Sequence, residues 1–280
     1  MSILQQIMQI DDQQLRNLDQ ISTYNDYKVK QIIGVGAEGQ VSLIEDENGK
    51  QLALKINNVH IPQDKVKLLL ELNHKNVIRI YDIKTENIVQ YCTMKYANQG
   101  DLNQFLIMRQ RLQQPLSYSE IQSIFSQICR GVMYLHSKKI VHGDITPSNI
   151  LFCNNQVKIA DFMQSNKSQL VYSAPELLIQ QEGPSKYSDV WSLGIILYQM
   201  LKGRLPYLTT TEITLRKKIP VMDVPFCFKK IINCCLIYQP INRIRLINIM
   251  RTLEKGNMIV ESESFISSAV NTADTNINFE

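Results

Sequence analysis

The chain has 280 residues, 44% of them hydrophobic and 20% charged, with a formal net charge of +4. That is enough chain for one large domain or two small lobes around a shared core, in the composition of a soluble globular protein. The mild basic excess does not mark a nucleic-acid binder, no apolar run approaches the ~20 residues of a membrane span, and MSILQQIMQIDDQQ lacks the basic start and apolar core of a secretory signal.

Cys92, Cys129, Cys153, Cys227, Cys234 and Cys235 form no CxxC pair and do not cluster with histidine, so no zinc site is expected. Most lie in apolar runs, where a reduced cysteine behaves as a small buried hydrophobe. The expectation is a reduced, cytoplasmic protein without nucleic-acid or membrane partners, monomeric by default.

In chain order, residues 1–27 come first. Ile3, Leu4, Ile7, Met8, Leu15, Leu18 and Ile21 recur at roughly helical spacing. This predicts a helical extension that binds a partner, packs on its own domain, or frays. From Lys28 the pattern turns to strands. QIIGVG and QVSLI are short β-branched runs, Asn48-Gly49 is a hairpin turn, and Leu52–Ile56 is the next strand. Pro62, at the head of DKVKLLLEL, marks a helix start. VIRIYDI and NIVQYCTMKY read as two more strands. The first hundred residues thus predict a five-stranded sheet with one helix.

The remainder is mainly helical. Ser119–Ser137 carries Ile121, Ile124, Phe125, Ile128, Val132 and Leu135 on one stripe. Asp189–Met200 is almost wholly apolar and should be buried on all sides. Further helices are predicted over 226–237 and 243–254, and the stretch from Gly256 onward is polar enough to predict disorder.

Gly34-Val35-Gly36-Ala37-Glu38-Gly39-Gln40-Val41 fits G-x-G-x-x-G-x-V. Glycines let backbone approach phosphate oxygens closely. Alone, such a stretch is more commonly a Gly-rich surface hairpin. Strands on both sides disfavour the dinucleotide-binding version, which needs a helix behind the loop. Sixteen residues after Gly39, Lys55 interrupts the apolar strand Leu52-Ala53-Leu54. It either meets an anionic partner or reaches back to water.

With these residues the sequence resembles the eukaryotic protein kinase family. His142-Gly143-Asp144 with Asn149 is similar to H-R-D-x-x-x-x-N, Asp161-Phe162 to the start of D-F-G, and Ala174-Pro175-Glu176 to A-P-E. SDVWSLGIILYQMLKGRLPY resembles the family's central buried helix. Arg243 stands where the family pairs an Arg with the A-P-E Glu. The resemblance runs from about Lys28 to Leu253 and implies an α+β, bilobal kinase-like fold. The N-lobe would span 28–97, with an antiparallel five-stranded sheet and one helix. The mainly helical C-lobe would span 98–254, followed by a polar tail over 255–280.

The resemblance also implies ATP and Mg²⁺ as cofactors and a protein substrate or regulated partner protein. Gly34, Val35, Gly36 and Gly39 would cover the phosphates, and Lys55 would hold the α- and β-phosphates. Asp144 would orient the proton of the substrate hydroxyl, while Asn149 and Asp161 would hold the metal. Met94 resembles the gatekeeper. The backbones of Lys95 and Ala97 would meet adenine, Asp101 the ribose, and Val41, Ala53 and Leu151 the two ring faces. His142 is expected as a packed core residue under Phe162. Pro147 in DITPSN resembles the Ser/Thr pattern.

Several positions depart from that pattern. Lys65 fills the slot of the Glu that pairs with the strand Lys, with Asp64 one residue away. Gly143 replaces an Arg that, in the family, pairs with a phosphorylated activation loop. Thr146 stands where Ser/Thr kinases place a Lys beside the transferred phosphate, and Met163 replaces the D-F-G glycine. Asp161 through Glu176 is a short segment in which Gln169 takes the place of a Thr, and Ser165, Ser168, Tyr172 and Ser173 are its candidate phosphosites. Two readings follow: an ATP-dependent protein kinase acting on protein hydroxyls, Ser/Thr by pattern, or a pseudokinase that binds nucleotide or scaffolds a partner.

Overall fold

The computed structural model describes residues 23–24, 26–36, 39–57, 61–86, 89–162, 169–180, 182–220 and 222–256. The predicted N-terminal helix, up to residue 22, and the tail from residue 257 lie outside these. Backbone packing divides the chain into two compact units, Met1–Asn73 with Ile78–Ala97, and His74–Val77 with Asn98–Glu280.

The first unit is built on an antiparallel sheet in the order β1-β2-β3-β4-β6-β5. Its long strands are β2 (Tyr27–Gly36), β3 (Gly39–Glu45), β4 (Gln51–Asn57), β5 (Ile80–Glu86) and β6 (Val89–Lys95). These are the five strands and the antiparallel arrangement expected. A two-residue strand, β1 (Thr23–Tyr24), adds an edge within the stretch read as a helical extension. Asn48-Gly49 turns β3 into β4: Gly49 takes a φ of 79°, and Asp46 Oδ1 accepts from the N–H groups of Asn48 (3.0 Å) and Lys50 (2.8 Å). One face buries Ile44, Leu52, Leu54 and Ile56 against Tyr27, Val29, Val89 and Tyr91. Helix α1 (Gln63–Glu71) starts directly after Pro62, buries Val66 and Leu69, and packs on β5.

The strand expected from Val77 begins only at Ile80. Val77 instead forms a parallel bridge with Ile159, in the second unit. That bridge uses backbone groups which a continuous β5 would need.

The second unit is helical around one hairpin. Helices α2 (Leu102–Arg111) and α3 (Tyr118–Ser137) precede strands β7 (Ile150–Cys153) and β8 (Gln156–Ile159). There follow α4 (Pro175–Ile179), α5 (Lys186–Lys202), α6 (Thr210–Thr214), α7 (Phe226–Cys235) and α8, described over 246–256. Ser117 and Ser185 open α3 and α5 with capping boxes. The stripe expected on α3 is buried, and α5 buries every residue from Ser188 to Tyr198. It packs on α3 and α7 as the core of the unit. The last helix starts three residues later than expected, because 3₁₀ residues Pro240–Asn242 leave Arg243 extended. Among the described residues no helix is long and apolar enough to cross a membrane. Cys92, Cys129, Cys153 and Cys235 are buried, and burial pushes the thiols of Cys129 and Cys235 well above the ordinary range.

Gly39 is where the backbone of the first unit tolerates no side chain. Its φ is 138°, and a Cβ there would lie 1.8 Å from the carbonyl oxygen of Ile56. Gly39→Ala is expected to cost about 2 kcal/mol or more through strain and strand displacement. Urea denaturation measures it; an unchanged midpoint refutes the assigned backbone.

Candidate active site

In the first unit the glycine motif is the β2–β3 hairpin, with Gly34 opposite Val41 and Gly36 opposite Gly39. Ala37 and Glu38, at its tip, lie outside the described residues. Val35 is exposed. Val41 faces Lys55, which faces Cys92, and Ala53 faces Met94. Directly opposed residues share a face, so Val41, Ala53, Lys55 and Met94 stand together on the side opposite the Ile44–Leu52 cluster. Lys55 is only 5% exposed, so it does not reach out to water. Asn57, two residues on along the same face, is fully buried, and its carboxamide has no partner among the described residues. The N–H of Lys95 donates to the carbonyl of Arg79 at 2.8 Å. Any adenine contact from Lys95 therefore falls to its carbonyl. Ala97 is the last residue of this unit.

The departure at Lys65 has a structural trace. Its side chain is half-buried on α1, and desolvation lowers its amine pKa below the ordinary value. Asp64, in the first turn, is exposed.

In the second unit, β7 and β8 bring three site residues together. Ile150 faces Ile159, and the N–H of Ala160 donates to the carbonyl of Asn149 at 2.9 Å, so Asn149 and Asp161 flank one end of the hairpin. Asn149 Nδ2 donates to the Asp144 carbonyl (2.8 Å) and to its carboxylate Oδ2 (3.1 Å). This clasp commits the amide nitrogen and leaves Asn149 Oδ1 as the atom to meet a cation. Asp161 has a φ of 58°, a left-handed conformation that a non-glycine residue holds at a cost of about 1 kcal/mol.

His142 is buried and uses both ring nitrogens. Nδ1 accepts from the N–H of Asp144 at 3.2 Å, and Nε2 donates to the carbonyl of Ala160 at 2.9 Å. Both are structural bonds and fix one tautomer, so the ring is a brace, as expected. Its contact with Phe162 is edge-on, with centroids 6.4 Å apart at 71°, rather than flat beneath it. The bond to Ala160 sets that tilt. Asp101 caps α2 by accepting from the N–H of Gln104 at 2.8 Å. Burial raises its carboxyl pKa against the opposing backbone bonds of Gln104 and Asn103. Asp101 also bridges Leu151 on β7.

Sequence reasoning missed Asp189. It is 1% exposed at the head of α5. Its Oδ1 accepts from the N–H of Gly143 (2.9 Å), and its Oδ2 accepts from the N–H of His142 (3.0 Å) and from His136 Nε2 (2.7 Å). A carboxylate at the head of an apolar buried helix was the available signal, since a buried charge must be paired. Gly143 has a φ of 80°, where glycine is the unstrained residue. Asp189→Ala orphans two buried N–H groups beneath Asp144, each costing about 1–3 kcal/mol. We expect a lowered unfolding midpoint and, in the folded fraction, a kcat lowered more than ATP KM is raised. Steady-state kinetics at fixed folded concentration checks this; equal changes in both refute a positioning role.

Thr146 is fully buried and its hydroxyl has no partner among the described residues, so it presents no exposed group at the position of the missing Lys. Met163, Ser165 and Ser168 lie outside the described residues. Tyr172 and Ser173 are buried. The Tyr172 hydroxyl donates to Gln199 Oε1 at 2.8 Å, and burial pushes its pKa up to about 12. Neither residue is accessible to a modifying enzyme in this conformation. Glu176 and Arg243 form the expected buried pair, Nη1 and Nη2 each donating to one carboxylate oxygen at 2.7 Å.

Among the described residues no group of three His, Cys, Asp or Glu is arranged to hold a metal by itself. Mg²⁺ needs none: it takes one or two protein oxygens and fills its shell with water and phosphate oxygens. Asn149 Oδ1 and the Asp161 carboxylate are hard oxygen donors of that kind. The apolar face of Val41, Ala53 and Met94, with the buried Lys55 ammonium, has the chemistry of a purine–phosphate ligand.

The family model for the protein kinase domain matches residues 27–253. The chain is 32% identical over 219 residues to "Probable serine/threonine-protein kinase MARK-A" of Dictyostelium discoideum, covering 70% of this chain and 20% of that protein. It is 31% identical to "Serine/threonine-protein kinase GIN4" of Saccharomyces cerevisiae, covering 66% of this chain and 19% of the relative. With "Carbon catabolite-derepressing protein kinase" of Secale cereale it shares 30% identity, over 79% of this chain and 49% of the relative. The chain thus spans between about a fifth and a half of these relatives. By the match over residues 27–253, and by the two-part fold that carries it, this chain belongs to the protein kinase domain family.

Proposed function

We propose that the chain transfers the γ-phosphate of ATP to Ser/Thr hydroxyls of a protein substrate, as a cytoplasmic monomer. The observation that carries this reading is the linked set Asp144–Asn149–Asp161, held from beneath by Asp189. Asp144 orients the substrate hydroxyl and takes up its proton. Asn149 Oδ1 and Asp161 would hold Mg²⁺, which when bound would supply positive charge against that developing on the transferred phosphoryl group. On the other unit, Lys55 binds the α- and β-phosphates and the glycine hairpin covers them. Within this unit Val41, Ala53 and Met94 are the adenine-ring residues, with Lys95 and Ala97 for its edge; within the second unit, taken by itself, Leu151 is the candidate ring residue and Asp101 the candidate ribose residue. The similarity to relatives named as serine/threonine kinases supports the hydroxyl class.

The test is transfer of labelled γ-phosphate to generic protein substrates with and without Mg²⁺. The expected result is metal-dependent labelling of serine and threonine. Absence of transfer alongside metal-dependent thermal stabilisation by ATP overturns the enzyme reading and favours a nucleotide-binding regulator.

A further inference from the structure

The second unit carries a groove lined by none of the residues assigned above to nucleotide, metal or proton transfer. It has a volume of about 770 Å³ and lies between α7 and α8, with Tyr118 at the start of α3. Phe226, Cys227 and Ile244 supply its apolar floor, and Phe226 is 78% exposed. Lys230, Arg251 and Lys255 line it, and among the described residues no acidic one does. An apolar floor rimmed by one sign of charge marks a docking surface for a segment of opposite sign.

The chain itself supplies such a segment, and two observations point to it. The first is where α8 ends. Gly256 is buried in the groove wall, and a Cβ there would lie 2.9 Å from Cys227 Sγ, so a larger residue would have to displace the Cys227 side chain. The last described residue therefore lies in the groove wall. The second is chemistry. Residues 257–266 read NMIVESESFI, and from 257 to 280 the chain has Glu261, Glu263, Asp274 and Glu280 with no Lys or Arg. Apolar Met258, Ile259 and Val260 come first and the two glutamates next, matching a floor of Phe226 and Cys227 with Lys230, Arg251 and Lys255 around it.

We propose that residues 257–266 of the same chain dock in this groove, Met258–Val260 covering Phe226 and Cys227 while Glu261 and Glu263 pair with Lys230, Arg251 and Lys255. Tethering at Gly256 makes this an intramolecular event of high effective concentration.

Hydrogen–deuterium exchange on the full chain at low salt tests it. In the unaltered protein, amides 258–266 should exchange at least tenfold slower than unstructured peptide. The pair Lys230→Glu with Arg251→Glu, and separately Glu261→Lys with Glu263→Lys, should each abolish that protection. The four changes together should restore it. Unchanged protection of Lys186–Lys202 in each variant shows that the fold is intact. Exchange at the unstructured rate in the unaltered protein overturns the proposal. So does protection that rises with protein concentration, which assigns the groove to a second copy, or protection that the charge reversals leave in place.

Discussion

Asp144→Asn is expected to lower kcat for γ-phosphate transfer about a thousandfold, some 4 kcal/mol of transition-state stabilisation, with the fold unaffected. The substitution keeps the shape of the side chain. An amide oxygen can still accept from Asn149 Nδ2, which now binds Asp144 Oδ2 at 3.1 Å, and the backbone bonds to His142 Nδ1 and Asn149 do not involve the carboxylate. What is lost is the anion that, in the proposed function, draws the proton from the attacking hydroxyl. Asp161→Asn should be comparably severe, because it removes the charged one of the two proposed metal ligands while leaving Asn149 Oδ1 in place. The two are separable by Mg²⁺ titration: Asp161→Asn should raise the half-saturating concentration, and Asp144→Asn should not. A rate within tenfold of the unaltered protein for Asp144→Asn sinks the assignment of the proton acceptor.

Arg243→Ala is expected to cost about 3–5 kcal/mol of stability, lowering Tm by on the order of 10 °C. All five guanidinium donors are used. Nη1 donates to Glu176 and to the Tyr187 carbonyl, Nη2 to Glu176 and to the Tyr238 carbonyl, and Nε to the Ile237 carbonyl. The guanidinium also lies 5.1 Å from the Trp191 ring centroid. Truncation leaves the Glu176 carboxylate buried without its countercharge and takes the guanidinium donor away from the carbonyls of Tyr187, Tyr238 and Ile237. Arg243→Lys should recover only part of the loss, since an ammonium lacks the planar fork. The double change of Glu176→Gln with Arg243→Met should lose less than Arg243→Ala, because it removes both charges together. Thermal unfolding decides; a Tm for Arg243→Ala within ~2 °C of the unaltered protein refutes the burial argument.

Features of short range were legible in the sequence. The alternation in QVSLI and LALKI predicts strands β3 and β4, Asn48-Gly49 predicts their turn, and the stripe on Ser119–Ser137 predicts α3. Motif order led to the Glu176–Arg243 pair across 67 positions of sequence. What escaped were consequences of long-range packing. Val77 looks like the start of a strand, yet its backbone bridges Ile159. Asp189 looks like a helix start, and nothing local says that its two oxygens hold the backbone at His142 and Gly143. Thr146 reads as the replacement for a Lys beside the transferred phosphate, and only the packed loop shows that it is fully buried.

Gly143 has one more consequence. The family resemblance places at this position an arginine that couples the loop to a phosphate on the activation segment. Here the loop is instead fastened through its backbone to Asp189, and glycine sits unstrained at a φ of 80°. Output should then be independent of prior covalent marking. Freshly made, unmodified protein should give progress curves that are straight from the first time point, with no lag, and phosphatase treatment should leave their slope untouched.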